Sequence, residues 1–382
     1  MKTIGIVAYE VSADRLGEGL VRALKQRIPD VEFVGITGPR MEAEGCRSIF
    51  SAERMAVMGL VEVLRHLPML LKTRTHLFNH YIENQPDLFI GIDAPDFNLG
   101  LETRLKQHGI PTVHYVCPTF WAWRSGRVKG LKKAADLVLS IFPFEIDFLQ
   151  NSKVNCKYVG HPLAEQIPDI IDQVAALKSL GLPQDVETIA ILPGSRTSEV
   201  SKLAGPFLAS AKMLADKRPA IQFVLPCSKP SLRPMIDEAV AEFAPDINCK
   251  VLDGDSYLAM SAADVVLTAS GTATMEILMH KKPMVVGYKV SRISAMIFRR
   301  MIKVPFVAMA NLLVSKMLAP ELLQEECRPD LLAEAVDGLL DDADLRASIQ
   351  SEYQRIHQQL RQDSANLAAD AVLELLNNQN GK

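Results

Sequence analysis

The sequence has few of the marks that usually disclose a chemistry. Its six cysteines (Cys46, Cys117, Cys156, Cys227, Cys249 and Cys327) are scattered, without a CxxC pair. That excludes a zinc ribbon or disulfide scaffold and fits reduced, mostly buried thiols of a cytosolic protein. Basic charge is not in excess: the 382 residues carry a formal net charge of −3, which leaves no electrostatic footprint for nucleic acid. No uninterrupted apolar run is long enough to span a bilayer, so membrane contact has to be peripheral. The start, Met1-Lys2-Thr3-Ile4-Gly5, leads directly into a strand and lacks a signal-peptide pattern. The loop after the first strand is not GxGxxG, and no phosphate loop ending in Gly-Lys-Ser/Thr is present. Both absences argue against dinucleotide and P-loop enzymes.

What is present is alternation. Apolar, β-branched runs at residues 3–8, 31–34, 87–92, 112–116 and 136–141 read as buried strands, with amphipathic helices between them, among them 14–25 and 99–107. The plan repeats at 188–192, 221–226, 248–252, 264–268 and 283–288, with helices at 199–217, 232–243, 256–261 and 273–280. Strand and helix in turn, with short loops, predict an α/β chain of doubly wound parallel sheets. The length exceeds one typical core, which predicts two domains. Gly160-His161-Pro162 closes the first, and from Pro329 onward the pattern is helical.

Two turns stand out in the second half. The run TIAILPGSRTSEV (188–200) is a buried strand, a Pro193-Gly194 turn and the start of a helix, with Ser195, Thr197 or Ser198 as caps. Free backbone N–H groups and the helix dipole make such a turn an anion site, and Arg196 adds a planar guanidinium suited to phosphate. The second turn, Ser270-Gly271-Thr272, again follows a buried strand and opens a helix. Glu276, four residues later, can accept hydrogen bonds from a ribose diol while the helix start holds phosphates. Together the turns predict a nucleotide-diphosphate site; either alone is as well explained by an ordinary strand-to-helix turn with a solvated Arg.

In the first half, Asp93 and Asp96 share the loop after the strand 87–92, at the end where parallel sheets bind ligands. Asp93 is the candidate general base. Asp96, nearer the helix start, is expected to cap it. The loop has no Asp-x-Asp metal pair, so a divalent ion is not needed to explain the site, and no cofactor is expected. CPTFWAWR (117–124) holds both tryptophans and either plugs the sheet end or shapes a pocket. Residues 55–71 are dense in Val, Leu and Met: core helices, or an exposed face for acyl chains. SRISAMIFRRMIKVPF (291–306) is a basic amphipathic helix, suited to anionic headgroups or to a solvated domain face.

The motifs GIDAPDFN (91–98), FWAWR (120–124), FPFE (142–145), LPGSR (192–196), SGTATMEIL (270–278) and LLQEEC (322–327) resemble the lipid-A-disaccharide synthase family nearly end to end. The resemblance implies a GT-B glycosyltransferase, two Rossmann-like doubly wound domains facing a cleft. Residues 1–165 would take the acceptor, residues 166–344 the UDP-sugar, and the C-terminal helices 345–382 would cross back to the first domain. The implied reaction joins UDP-2,3-diacylglucosamine to 2,3-diacylglucosamine 1-phosphate (lipid X), with inversion and without metal, giving the β-1,6 disaccharide and UDP. Carried over by motif, Asp93 is the catalytic carboxylate and Arg196 the diphosphate arginine. Glu10, Ser12, Asp14, Ser195, Ser270, Gly271, Thr272, Glu276 and Asn311 fall to substrate binding. Met58, Val61, Leu64, Arg299, Arg300 and Lys303 become membrane or acyl contacts on an anionic inner-membrane surface, and the precedent leaves room for a homodimer.

One loop departs from the pattern. The family runs Gly-Glu-x-Ser-Gly-Asp where this chain has Tyr9-Glu10-Val11-Ser12-Ala13-Asp14. Tyr9 would obstruct a backbone approach or a positive φ, so either the loop takes another path or the acceptor side is altered. Two other readings follow: another UDP-sugar enzyme on the same fold, or a non-catalytic UDP-sugar or lipid binder.

Overall fold

The computed structural model describes residues 2–51, 60–123, 125–290 and 305–379. It divides into two compact units, Met1–Glu165 with Leu360–Lys382, and Gln166–Gln359.

The first unit is built on seven parallel strands: β1 Thr3–Val7, β2 Glu32–Thr37, β3 Arg47–Ser51, β4 Leu88–Ile92, β5 Thr112–Tyr115, β6 Leu137–Ser140 and β7 Cys156–Tyr158. Their order across the sheet is β3-β2-β1-β4-β5-β6-β7. Every residue of β4 is buried, as a strand covered on both faces must be, which is why its sequence is an unbroken apolar run. The cluster beneath it gathers Phe89, Phe97, Leu101, Leu105, Leu77 and Tyr81. Residues 60–84 form one helix, Leu60–Asn84, which runs through Pro68 rather than breaking into a pair. The last helix, Ser364–Gln379, packs on Val11–Arg27. Arg27 fastens it by donating to Asp370 and Asn366, both at 2.8 Å. The return to this unit begins at Leu360, not at 345, because Ala343–Leu360 is one unbroken helix whose body belongs to the second unit.

The second unit repeats the plan with β8 Thr188–Leu192, β9 Gln222–Cys227, β10 Cys249–Asp253, β11 Val265–Ala269, β12 Met284–Tyr288 and β13 Glu321–Leu323. All pair in parallel, in the order β10-β9-β8-β11-β12-β13. The sequence reading missed β3, and it missed β7 and β13, three-residue strands too short to carry a period; helices it missed include Phe144–Asn151 and Met309–Val314. In each sheet the winding reverses once, between β1 and β4 and between β8 and β11. A crevice opens outside the carboxyl ends of such a pair, and it is the place where α/β sheets bind ligands.

Candidate active site

The second unit's reversal point joins the two turns that the sequence singled out. β8 and β11 pair through Leu192 and Thr268, so the loops that leave them lie side by side. Beyond β8, Gly194 takes φ 118°, and a Cβ there would lie 2.6 Å from that of Glu199. Only glycine suits both conditions. The helix then runs Thr197–Lys217 with Arg196 at its N-cap, so Ser195, Thr197 and Ser198 do not cap it through their side chains. Glu199 reaches back instead. Its carboxylate accepts from the Ser195 and Arg196 backbone N–H groups at 3.1 and 3.3 Å, and from Arg196 Nη1 at 3.1 Å. The donors of an anion site are therefore assembled, and they hold a carboxylate of the chain itself. The Arg196 side chain remains 70% exposed.

On the neighbouring loop, Ser270 is half-buried, and Gly271 and Thr272 are exposed. A Cβ on Gly271 would meet nothing within 4 Å. Helix Ala273–Met279 follows, with Glu276 half-buried and accepting from the Tyr257 hydroxyl at 3.3 Å. Asn311 is fully buried. Its amide nitrogen donates to Ala319 O and Glu321 Oε1, and its oxygen accepts from the Leu318 and Ala319 N–H groups. That uses every donor and acceptor the side chain has, so Asn311 clasps its own loop.

The first unit's reversal point brings together the ends of β1 and β4. Tyr9 follows β1 half-buried, and its ring meets Phe97 edge-on with centroids 5.7 Å apart. Its φ is not positive, so the glycine of the family pattern is not required here for backbone reasons. Burial pushes its phenol well above the usual range, and the charges of Glu10, Asp93 and Asp96 add to the shift. The helix begins at Val11, three residues earlier than expected. Glu10 and Ser12 are exposed at its start, and neither Ser12 nor Asp14 caps it. Asp14 is buried and caps a different helix: its two oxygens accept from the Arg40 and Met41 N–H groups at the start of Pro39–Ala43. Ala13, the other replaced glycine, is completely buried in the core.

Beyond β4 the backbone turns sharply. Asp93 and Ala94 both lie in the left-handed region, at φ 54° and 44°, and Val116, at the end of β5, has φ 80°. Asp93 N donates to Tyr115 O at 2.8 Å. The helix starts at Pro95 with Ala94 in the N-cap position, so the capping role expected of Asp96 is not observed. Asp96 instead points outward, 83% exposed, and pairs with Arg127 at 2.8 Å. Residues 120–123 form a short helix in which Trp121 Nε1 donates to Glu145 at 3.1 Å. Glu145 also accepts from Ser140 Oγ, and burial pushes its carboxyl up to about 7. The FPFE motif contains Glu145, but only the fold joins it to Trp121. Val61 and Leu64 fall in the first turns of Leu60–Asn84. Met58, Arg299, Arg300 and Lys303 lie outside the described residues. Among the described residues no helix is long and apolar enough to cross a membrane, and no group of three or more His, Cys, Asp or Glu could hold a metal ion.

Two Rossmann-like units in one chain, each with a loop site at its reversal point, define the GT-B class. Solved structures share this fold. A UDP-GlcNAc 2-epimerase from Neisseria meningitidis bound to UDP-GlcNAc superposes with a TM-score of 0.62 at 12% identity, over 98% of this chain and 99% of that one. The spinosyn rhamnosyltransferase SpnG complexed with thymidine diphosphate gives 0.59 at 13%, over 98% and 100%. Within the class the sequence is more particular. A family model described as Lipid-A-disaccharide synthetase matches residues 4–375. The lipid-A-disaccharide synthase of Pseudomonas aeruginosa is 48% identical over 98% of both chains, and that of Photobacterium profundum 47% over the same shares. The chain belongs to the lipid-A-disaccharide synthase family, and it is a glycosyltransferase that transfers a hexosyl group.

Proposed function

We propose that this enzyme condenses UDP-2,3-diacylglucosamine with 2,3-diacylglucosamine 1-phosphate, forming the β-1,6 disaccharide 1-phosphate and releasing UDP. Family membership supports the substrates, and one observation carries the mechanism: Asp93 stands at the reversal point of the first sheet, on a turn held in the left-handed region. Its carboxylate takes the proton from the acceptor's 6-hydroxyl as that oxygen attacks C1 of the donor sugar, and the C1–O bond to UDP breaks with inversion. Arg196 and the Ser195 and Arg196 N–H groups stabilise the charge that develops on the leaving diphosphate. To do so they exchange the Glu199 carboxylate for phosphate oxygens. Ser270 and Thr272 line the same place, Gly271 leaves it open, and Glu276 accepts from the ribose diol. The second unit thus takes the donor and the first takes the acceptor, with Glu10 and Ser12 beside Asp93. Asp14 and Asn311 contribute by shaping their loops.

Attachment is peripheral, at the inner face of the inner membrane. Met69 and Leu71, 38% and 43% exposed on Leu60–Asn84, support an acyl-facing surface. The basic residues Arg292, Arg299, Arg300 and Lys303 of the stretch 291–306 lie outside the described set and support an anionic contact by sequence alone. The non-catalytic alternative loses its motive, since Tyr9 needs no positive φ and Ala13 fits the core. The test is an assay of purified protein with both substrates, separated by thin-layer chromatography. Disaccharide and UDP in equal amounts are expected; donor consumption without disaccharide would overturn the reading.

A further inference from the structure

Below the Asp93 turn lies a buried polar cluster for which the reaction as described has no use. Asn98, Glu102 and His114 have no exposed surface. Asn98 and Glu102 stand one helical turn apart on Pro95–Gln107, on the same face. His114 is on β5, paired in register with Gly91 of β4. Asn98 Nδ2 donates to Asp93 O at 2.8 Å and, at 3.3 Å, to Ile92 O. His114 Nδ1 meets Glu102 Oε1 at 2.7 Å. A Cβ on Gly91 would come within 2.2 Å of Glu102 Oε1 and 3.0 Å of Asn98 Cγ, so the two side chains close on the bare Cα of Gly91 from two sides.

The arrangement is costly. Asn98 Oδ1, Glu102 Oε2 and His114 Nε2 are buried without a hydrogen-bond partner among the described residues. Unpaired buried polar atoms weaken a fold, and apolar side chains of similar size stabilise such a place better. The backbone above adds its own cost, two consecutive non-glycine residues at positive φ. Strained backbone held over an unsatisfied polar cluster marks a place that is shaped for something other than stability.

We propose that Asn98, braced by the buried Glu102–His114 pair, is a positioning residue for the transfer: it holds the Asp93–Ala94 turn in its left-handed form and so fixes the direction from which the Asp93 carboxylate meets the acceptor hydroxyl. Asn98 touches neither substrate; it acts through the backbone carbonyl of Asp93. The inference rests on the reading of Asp93 as the base. Glu102 lies with Asn98 against the bare Cα of Gly91, one helical turn away, and its bond to His114 fixes the wall of the space in which the Asn98 amide sits.

The experiment compares Asn98→Ala, Asp93→Asn and the double variant by kcat, by KM for each substrate and by thermal melt. Asn98→Ala should lower kcat about ten- to a hundredfold, the loss expected when a reacting group is misaligned, with both KM values within about twofold. Added to Asp93→Asn it should cost nothing further, because a missing base cannot be misplaced. Glu102→Gln, which keeps an acceptor for His114, should retain most of kcat, whereas Glu102→Ala should behave like Asn98→Ala. If Asn98→Ala does not fold, Asn98→Ser is measured in its place. Normal turnover by Asp93→Asn would overturn the base itself. Slow Asp93→Asn beside normal Asn98→Ala, or losses that multiply in the double variant, would overturn the positioning role alone.

Discussion

The two reversal points share topology but are prepared in opposite ways. In the second unit the loop is electrostatically ready. Its N–H donors and the Arg196 guanidinium are on the surface, satisfied by Glu199, and the exchange of one anion for another needs little rearrangement. In the first unit the loop is sterically ready. Asp93 is fixed by strained backbone above a buried amide. Binding a diphosphate asks for charge at a roughly correct place, whereas proton transfer asks for one oxygen at a defined place. On the proposed roles, the difference between the loops follows from that difference in demand.

If so, removing chemistry from the first loop should cost most. Asp93→Asn keeps the shape and a residue type tolerant of positive φ, but not the base, so kcat should fall by about 10²–10⁴ with an unchanged melt. A stability effect comes next, at the end of β6 in the same sheet. The Glu145 carboxyl, raised by burial from 4.5 to about 7, binds its proton more tightly in the folded chain. The stability it contributes is complete below pH 4.5 and lost as pH rises through about 7, a span worth about 3 kcal/mol. Glu145→Gln should therefore melt above the parent at pH 8 and lose that advantage at pH 5; equal shifts at both pH values would refute the assignment. On the second loop, Arg196→Lys keeps the charge but loses the two-pronged donor, and kcat should fall by about 1.5–3 kcal/mol of barrier. Last is Asp96, whose exposed pair with Arg127 is worth about 0–1 kcal/mol. Asp96→Asn should barely change the melt or kcat, and loss of turnover there would mean that the roles of the two aspartates are exchanged.

Much of this was legible in the sequence because it is local. Buried parallel strands read as apolar runs, and both catalytic-side loops follow such runs directly, so Asp93, Arg196 and Ser270–Thr272 fall at strand ends without reference to the rest of the fold. What was not legible depends on partners far along the chain. Asp14 looked like a cap for its own helix, but its partners are Arg40 and Met41. Asp96 looked like a cap because the helix seemed to begin at Leu99; the turn pinned by Asn98 starts it at Pro95. The Glu102–His114 pair and the Trp121–Glu145 bond join elements with no common motif. Glu199 is the exception, three residues from Arg196, and its role could have been read from the spacing of a capping carboxylate.

In the proposed division of labour the second loop binds the diphosphate and the first performs the proton transfer. Calorimetric titration of UDP into the parent, Asp93→Asn and Arg196→Lys tests it without turnover. Asp93→Asn should bind UDP as the parent does, and Arg196→Lys should bind it about tenfold more weakly. Weakening of equal size in both variants, or parental affinity in Arg196→Lys, would contradict the account.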